Sequence, residues 1–406
     1  MNAARAQALI VTQYYRPEML GSGPFCADLA EWLTRRGRRV TVLAGPPHYP
    51  DATMFAGQRD QMARHEVING VAVERVRSEI PAHASARARI AAELSFFLSG
   101  VKALLAGRIQ RHSVVISLCP SVLSVALGAM VCRRDGHHVA LVHDIQSGLA
   151  KGLGMVKLKG LAGIMRRAER AILNRADLVV VLTPEMAQEL RGNGIRSAIE
   201  ILPIWVDLNR FAPPALDRSG PLRILYSGNL GRKQGLGQIV ELAALLQQSR
   251  PELSITIRGK GNQAEALRAE IRARNLNNIR FEDPLPFDAF HQGLSEADIH
   301  LVPQAPDAAN FALPSKIYNI MAAGRPFVAT AQSGSPLWRI HEKSQGFLCV
   351  PPSDPAAFAR AVMTLADDAE LRRRLGERGR RFVEENNERT KVLADFEASI
   401  DMLHAR

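Results

Sequence analysis

Short apolar runs, each followed by a helical stretch, limit what this chain can fold into. Leu178-Val-Val-Val-Leu182 is apolar at every position. Such a run suits a strand covered on both faces, which is the condition of a parallel sheet flanked by helices. Ala8-Leu-Ile-Val-Thr12, Arg39-Val-Thr-Val-Leu-Ala44, Val114-Val-Ile-Ser-Leu118 and Val139-Ala-Leu-Val142 repeat the pattern, with helices predicted over 25–36, 86–110, 121–133 and 158–174. Asn69-Gly70 between Val67-Ile68 and Val71-Ala-Val73 marks a hairpin. The alternation predicts a doubly wound α/β unit.

Residues 203–221 carry four prolines and no period, and read as a linker. A second α/β unit follows, with strands at 222–226, 253–257, 278–281, 299–302, 327–329 and 347–350. A chain of 406 residues is long enough for two domains. Ligands of doubly wound sheets bind beyond the carboxyl ends of the strands, so the loops after strands are the candidate functional segments.

Composition narrows the function classes. At 47% apolar and 23% charged, the chain is of ordinary globular type. No apolar run approaches the roughly 18 residues of a spanning helix. Four cysteines stand apart, without CxxC or Cys/His spacing, which fits a reducing cytosol and no zinc site. There is no Asp-x-Asp and no other metal-spaced cluster, so no catalytic metal is expected. Residues 1–210 hold 27 Lys+Arg against 17 Asp+Glu, an excess of ten, while the rest of the chain has 25 against 23. A basic first half suits an anionic partner. Residues 87–105 and 157–167 mix cations with apolar residues, as membrane-surface helices do, and as core helices with a basic rim also do. Nucleic acid would account for the charge but not for two paired sheets.

Several loops carry chemistry. In 310–330, Ser315 stands as an N-cap before the apolar-periodic Ile317, Ile320 and Met321, and Gly324 and Pro326 close the helix. A helix start with free amides, with Lys316 beside it, suits phosphate. Ser227-Gly228-Asn229-Leu-Gly-Arg-Lys233-Gln234-Gly235 and Arg258-Gly259-Lys-Gly follow strands and combine glycine with cations; each also reads as a plain turn. In the first half, Gly21-Ser22-Gly23 opens a helix and His143-Asp144 closes a strand. A His-Asp pair there can orient an acceptor hydroxyl or take its proton; equally, the Asp caps a loop and the His is satisfied by backbone.

Taken together, Tyr14-Tyr15-Arg-Pro-Glu with the Gly-Ser-Gly turn, Pro46-Pro-His48-Tyr-Pro50, His143-Asp144, Leu202-Pro203 with Val206-Asp207, Tyr226 to Gly235, and Leu313-Pro-Ser-Lys316 with Met321-Ala-Ala-Gly-Arg-Pro326 resemble family-4-type retaining glycosyltransferases of the GT-B fold. Within that group they are most like the colanic-acid and related exopolysaccharide enzymes. The resemblance implies two Rossmann-like domains facing a cleft: 1–205 on the acceptor side, 206–382 on the donor side, and a final helix within 383–406 crossing back. It implies a GDP- or UDP-sugar co-substrate, no other cofactor and no metal. Gly228, Asn229, Lys233, Gln234, Arg258, Gly259, Leu313, Pro314, Ser315, Lys316 and Asn319 would meet the donor, and Asp283 and Leu285 its base. Gly21, Ser22, Gly23 and His48 would face a lipid-linked or saccharide acceptor, with His143 and Asp144 catalytic. The implied setting is cytoplasmic, peripheral to the inner membrane leaflet. The family's two glutamates are absent: one position falls on Asn319, the other near Asn310 or Phe311. A sugar-nucleotide epimerase of the same fold and a nucleotide-sugar-binding pseudoenzyme are the alternatives.

Overall fold

The computed structural model of the protein describes residues 7–404, apart from 19–20, 49–51, 56, 58–63, 81–85, 120, 146–158, 212–219 and 309–312. The chain divides into two compact units, Met1–Leu202 with Leu393–Arg406, and Pro203–Val392.

The first unit runs β1 (Ala8–Val11), α1 (Gly23–Arg35), β2 (Val40–Ala44), β3 (His65–Ile68), β4 (Val71–Arg75), α2 (Ala86–Leu105), β5 (His112–Cys119), α3 (Val122–Val131), β6 (Cys132–Val142), α4 (Lys159–Leu173), β7 (Leu178–Val181), α5 (Pro184–Gly192) and β8 (Ala198–Ile201). The sheet order is β3-β4-β2-β1-β5-β6-β7-β8. Only the β3–β4 pair is antiparallel among these pairings, turned by Asn69 and Gly70, both at positive φ. β1 and β7 are buried at every position, as strands covered on both faces must be. Leu9, Val11, Phe96, Val115 and Leu127 form one core of this unit.

The second unit runs β9 (Arg223–Ser227), α6 (Gly237–Ser249), β10 (Ser254–Arg258), α7 (Ala264–Ala273), β11 (Ile279–Glu282), α8 (Phe287–Ser295), β12 (Ile299–Val302), α9 (Lys316–Ala322), β13 (Phe327–Thr330), α10 (Pro336–Ser344), β14 (Leu348–Val350), α11 (Pro355–Asp367) and α12 (Ala369–Asn386). The parallel sheet is ordered β11-β10-β9-β12-β13-β14. Its core gathers Ile224, Tyr226, Ile255, Ile257, Phe358 and Val362. Strand order reverses between β1 and β5 in one sheet and between β9 and β12 in the other, and these reversals are where such sheets open a crevice.

Three expectations need correction. The helix predicted over 86–110 stops at Leu105, because Gly107 takes φ 68 and Arg108 N–H returns to the Ala103 carbonyl. β6 begins at Cys132 rather than Val139; Gly136 permits the close pairing, since a Cβ there would lie 2.7 Å from the Ser113 carbonyl. The final helix is interrupted. α12 ends at Asn386, Asn387 accepts from Val206 N–H (2.8 Å) and its side-chain amide donates to the Ile204 carbonyl (2.7 Å), and α13 (Arg389–His404) begins beyond a Val206–Glu388 bridge. From Leu393 onward α13 belongs to the first unit, where Arg36 and Arg38 meet Glu397, Arg38 meets Asp401, and Ser399 donates to Glu200.

Candidate functional site

The strand-order reversal of the second sheet brings together the loops after β9, β10 and β12. Gly228, at φ 145, turns the chain directly after β9. Its N–H bonds the Arg258 carbonyl and Leu230 N–H bonds that of Lys260, so two loops run locked side by side. Gly259 makes this possible: a Cβ would lie 1.9 Å from the Gly228 carbonyl oxygen. Against these loops stands Lys316, the first residue of α9. Its Nζ lies 3.6 Å from the Tyr226 ring centroid and donates to the Ser227 carbonyl at 3.4 Å. Tyr226 is held in turn by its hydroxyl, which donates to the Asn229 carbonyl at 2.7 Å.

No carboxylate among the described residues pairs with Lys316, and the surrounding protein, by desolvating the ammonium, pushes its pKa down to about 7. Lys316, Arg325 and Arg258 all act on buried His300, whose pKa is lowered to about 3, first by burial. A cation held against an aromatic face and a carbonyl, with no carboxylate paired to it among the described residues, has the chemistry to receive an anion.

The other expected donor residues divide in the structure. Arg258 is engaged internally: Nε and Nη2 donate to Glu282 (3.0 and 2.8 Å) and Nη1 to the Gly293 carbonyl (3.2 Å). It braces the loops rather than offering a spare cation. Lys260 pairs with Asp283 at 3.4 Å. Leu285 is seated by Gly293, where a Cβ would come within 2.1 Å of it. Lys233 and Gln234 lie in a 3-10 turn closed by Gly235, and the Gln234 side-chain oxygen is buried without a partner among the described residues. Ser315 sits at the N-cap position but does not cap. It has helical angles, and its carbonyl and that of Pro314 accept from Tyr318 and Ile317, which occupies two of the amides expected to be free. Leu313 is buried and Asn319 half-buried on α9; positions 310 and 311 lie outside the described residues.

In the first unit the corresponding edge is organised by a residue that sequence reasoning quoted without giving it a role. Buried Glu18 accepts from Tyr15 N–H (3.1 Å) and His48 N–H (2.8 Å), tying the loops after β1 and β2. Its carbonyl lies 3.2 Å from where a Gly23 Cβ would be, so α1 starts directly against it. Gly21 takes φ 70, and Ser22 precedes α1 without a side-chain cap. His48 Nδ1 lies 3.0 Å from the Pro46 carbonyl, which can only accept, so this nitrogen carries the proton; its ring packs on Tyr14. His143 follows β6, bonds the Cys119 carbonyl through its N–H, and sets its ring edge-on to Phe25 at 6.0 Å. The Asp144 carbonyl accepts from Cys119 Sγ at 3.8 Å.

Two doubly wound parallel-sheet units, each opening loops at its own strand-order reversal, define the GT-B class. The match to known proteins agrees. Residues 21–205 match a glycosyl transferase 4-like domain, and residues 211–382 match glycosyl transferases group 1. The chain belongs to this family of family-4-type glycosyltransferases. It is 29% identical over 366 residues to WcaI of Escherichia coli K12, named for glycosyl transfer in colanic acid biosynthesis, covering 86% of this chain and 89% of that one. Among solved structures, sucrose-phosphate synthase from Thermosynechococcus elongatus superposes with a TM-score of 0.78 at 19% identity, over 98% of both chains. Anabaena HepE, solved with UDP and glucose, superposes at 0.71 and 14% identity, over 98% of this chain and 99% of that one.

Proposed function

We propose that this glycosyltransferase moves a sugar from a UDP- or GDP-sugar to a lipid-linked or saccharide acceptor in exopolysaccharide biosynthesis, with retention and without a metal. One observation carries the donor assignment: Lys316 is a cation with no described carboxylate partner, fixed on Tyr226 at the β9/β12 reversal. In this reading Lys316 and Lys233 meet the diphosphate, the loop from Glu282 to Leu285 lines the base, and Asn319 faces the ribose. The first unit takes the acceptor, with His143 and Asp144 at its hydroxyl. The WcaI likeness supports the exopolysaccharide setting, and the UDP-bound HepE structure supports a nucleotide-sugar donor. The enzyme works on the cytoplasmic side of the inner membrane, associated peripherally; no described helix is long and apolar enough to cross a membrane.

Calorimetry with UDP and GDP tests the site. Lys316→Ala and Lys233→Ala are each expected to weaken binding roughly ten- to a hundredfold, the worth of a charge-assisted phosphate contact of about 1.5–3 kcal/mol. Unchanged affinity in both variants would remove the phosphate assignment.

The lysine also fixes a pH dependence. Below about 7 Lys316 is charged, and donor affinity should be flat. Above that value the free site loses the charge, and affinity for the diphosphate should fall about tenfold per pH unit until the pKa of the bound state is reached. Binding a nucleotide-sugar at pH 8 therefore takes up a proton, countable by calorimetry in buffers of different ionisation heat. In the unfolded chain the lysine stays charged to its ordinary 10.5. Between about 7 and 10.5 the unfolded state thus binds more protons, and folding stability gains as pH rises. A proton count of zero, or the same pH profile in Lys316→Arg, would contradict this account.

Asn319, where the wider family has glutamate, favours a second reading: a nucleotide-sugar-binding protein without turnover. Release of nucleotide from a panel of labelled donors separates the two.

A further inference from the structure

Helices α2, α3 and α4 form one layer beside the first sheet, α2 packing on α3 and α3 on α4. The outward side of this layer is unusual. On α2, Ile90, Leu94, Leu98 and Leu105 are 60%, 45%, 48% and 82% exposed. At 3.6 residues per turn their spacing places all four within an arc of roughly 80°. They form an open stripe along the helix, not scattered single residues. α3 adds Met130 and α4 adds Ile164, exposed at 40% and 62%.

The exposed charges described on these three helices have one sign. The three helices contain seven Lys and Arg and two Glu. Both glutamates turn inward: Glu169 is buried, and half-buried Glu93 accepts from Ser121. Lys102, Arg166, Arg167 and Arg170 are exposed. Among the described residues, then, the outer side of the layer presents apolar groups and cations and no exposed carboxylate. A second copy of the chain docking symmetrically would bring these cations against one another. An anionic lipid leaflet complements both features at once: acyl chains for the stripe, headgroups for the cations.

We propose that the α2–α3–α4 layer is the face on which this protein docks on an anionic lipid leaflet. The α2 stripe enters the headgroup boundary and the α4 arginines hold the phosphates. The inference rests on the reading of an acceptor carried at the membrane, but it needs no turnover. The contact then runs along α2 as well as the basic run at 157–167, of which Lys157 lies outside the described residues.

Co-sedimentation of the full chain with vesicles tests it, using phosphatidylcholine alone and phosphatidylcholine mixed with phosphatidylglycerol. Binding is expected to the mixed vesicles only, and to weaken with added salt. Leu98→Ser with Leu105→Ser should weaken it by roughly tenfold or more, as should Arg166→Glu with Arg167→Glu. Arg374→Glu with Arg381→Glu, the same change of net charge on exposed residues of the second unit, should leave it unchanged. All these variants should bind UDP or GDP as the parent does, which keeps failure of the docking face distinct from failure of the donor site. Equal binding to neutral vesicles, equal loss in the second-unit control, or no binding at low salt would overturn the proposal. So would a lipid-free dimer abolished by the leucine changes.

Discussion

Gly259→Ala is expected to abolish donor binding and to destabilise the second unit. The added methyl would stand 1.9 Å from the Gly228 carbonyl oxygen, a backbone atom with no rotamer to change. The loop cannot simply move aside. Gly228 and Leu230 are bonded to the Arg258 and Lys260 carbonyls at 3.0 and 2.9 Å, and Gln263 N–H bonds Leu230 at 2.9 Å. Any shift that relieves the contact carries Ser227 with it, and Ser227 supplies the carbonyl to which Lys316 donates. Overpacking of this kind costs about 1–3 kcal/mol and more where backbone must yield. Denaturant titration and UDP or GDP calorimetry on one preparation would read both effects. Gly237→Ala is the control, because nothing lies within 4 Å of its added Cβ at the start of α6. Gly259→Ala with parental stability and affinity would refute the locked-loop account.

The second large effect concerns α13. The Arg38 side chain is only 2% exposed and lies between Glu397 and Asp401, and Glu397 is 4% exposed. Arg38→Met leaves that carboxylate in a buried place with one cation fewer. Removing one partner of a buried ion pair costs about 3–5 kcal/mol. The low end is expected here, since Arg36 also reaches Glu397, at 3.1 Å. The double change Arg38→Met with Glu397→Leu should recover most of the loss, because it removes the stranded charge. Chemical denaturation of the two variants decides it; a single variant within about 0.5 kcal/mol of the parent would show that α13 is held by its apolar face alone.

What could be read in the chain was whatever depends on near neighbours. Leu178 to Val181 is a buried strand because four apolar residues in a row have no polar face to offer, and Asn69-Gly70 turns a hairpin because both residues accept positive φ. What escaped depends on distant partners. Arg258 looks like a free cation until Glu282, 24 positions on, claims it. Glu18 acquires a role only through the amide of His48, 30 positions away. The helix break at Asn387 has no glycine or proline to announce it, since its cause is pairing with Ile204 and Val206. Ser315 has the right residue type for a cap, but capping needs extended backbone angles that the turn from Pro314 does not supply. Tyr226 passed as the last residue of a strand, and only the approach of Lys316 from 90 positions later makes it a platform.

The return of α13 to the first unit also sets an order of events during synthesis. Translation delivers residues 203–392 before the segment from Leu393 that carries Phe396 and Ile400 into the first unit. Nascent domains generally close in N-to-C order. Here the N-terminal unit is the one left waiting, with Arg38 facing an unfilled place while the second sheet already has all its strands. A polypeptide stalled before Leu393 would carry a second unit with its sheet complete and a first unit still lacking its last helical segment, so the exposed, unfinished surface would lie at the front of the chain rather than at its severed end.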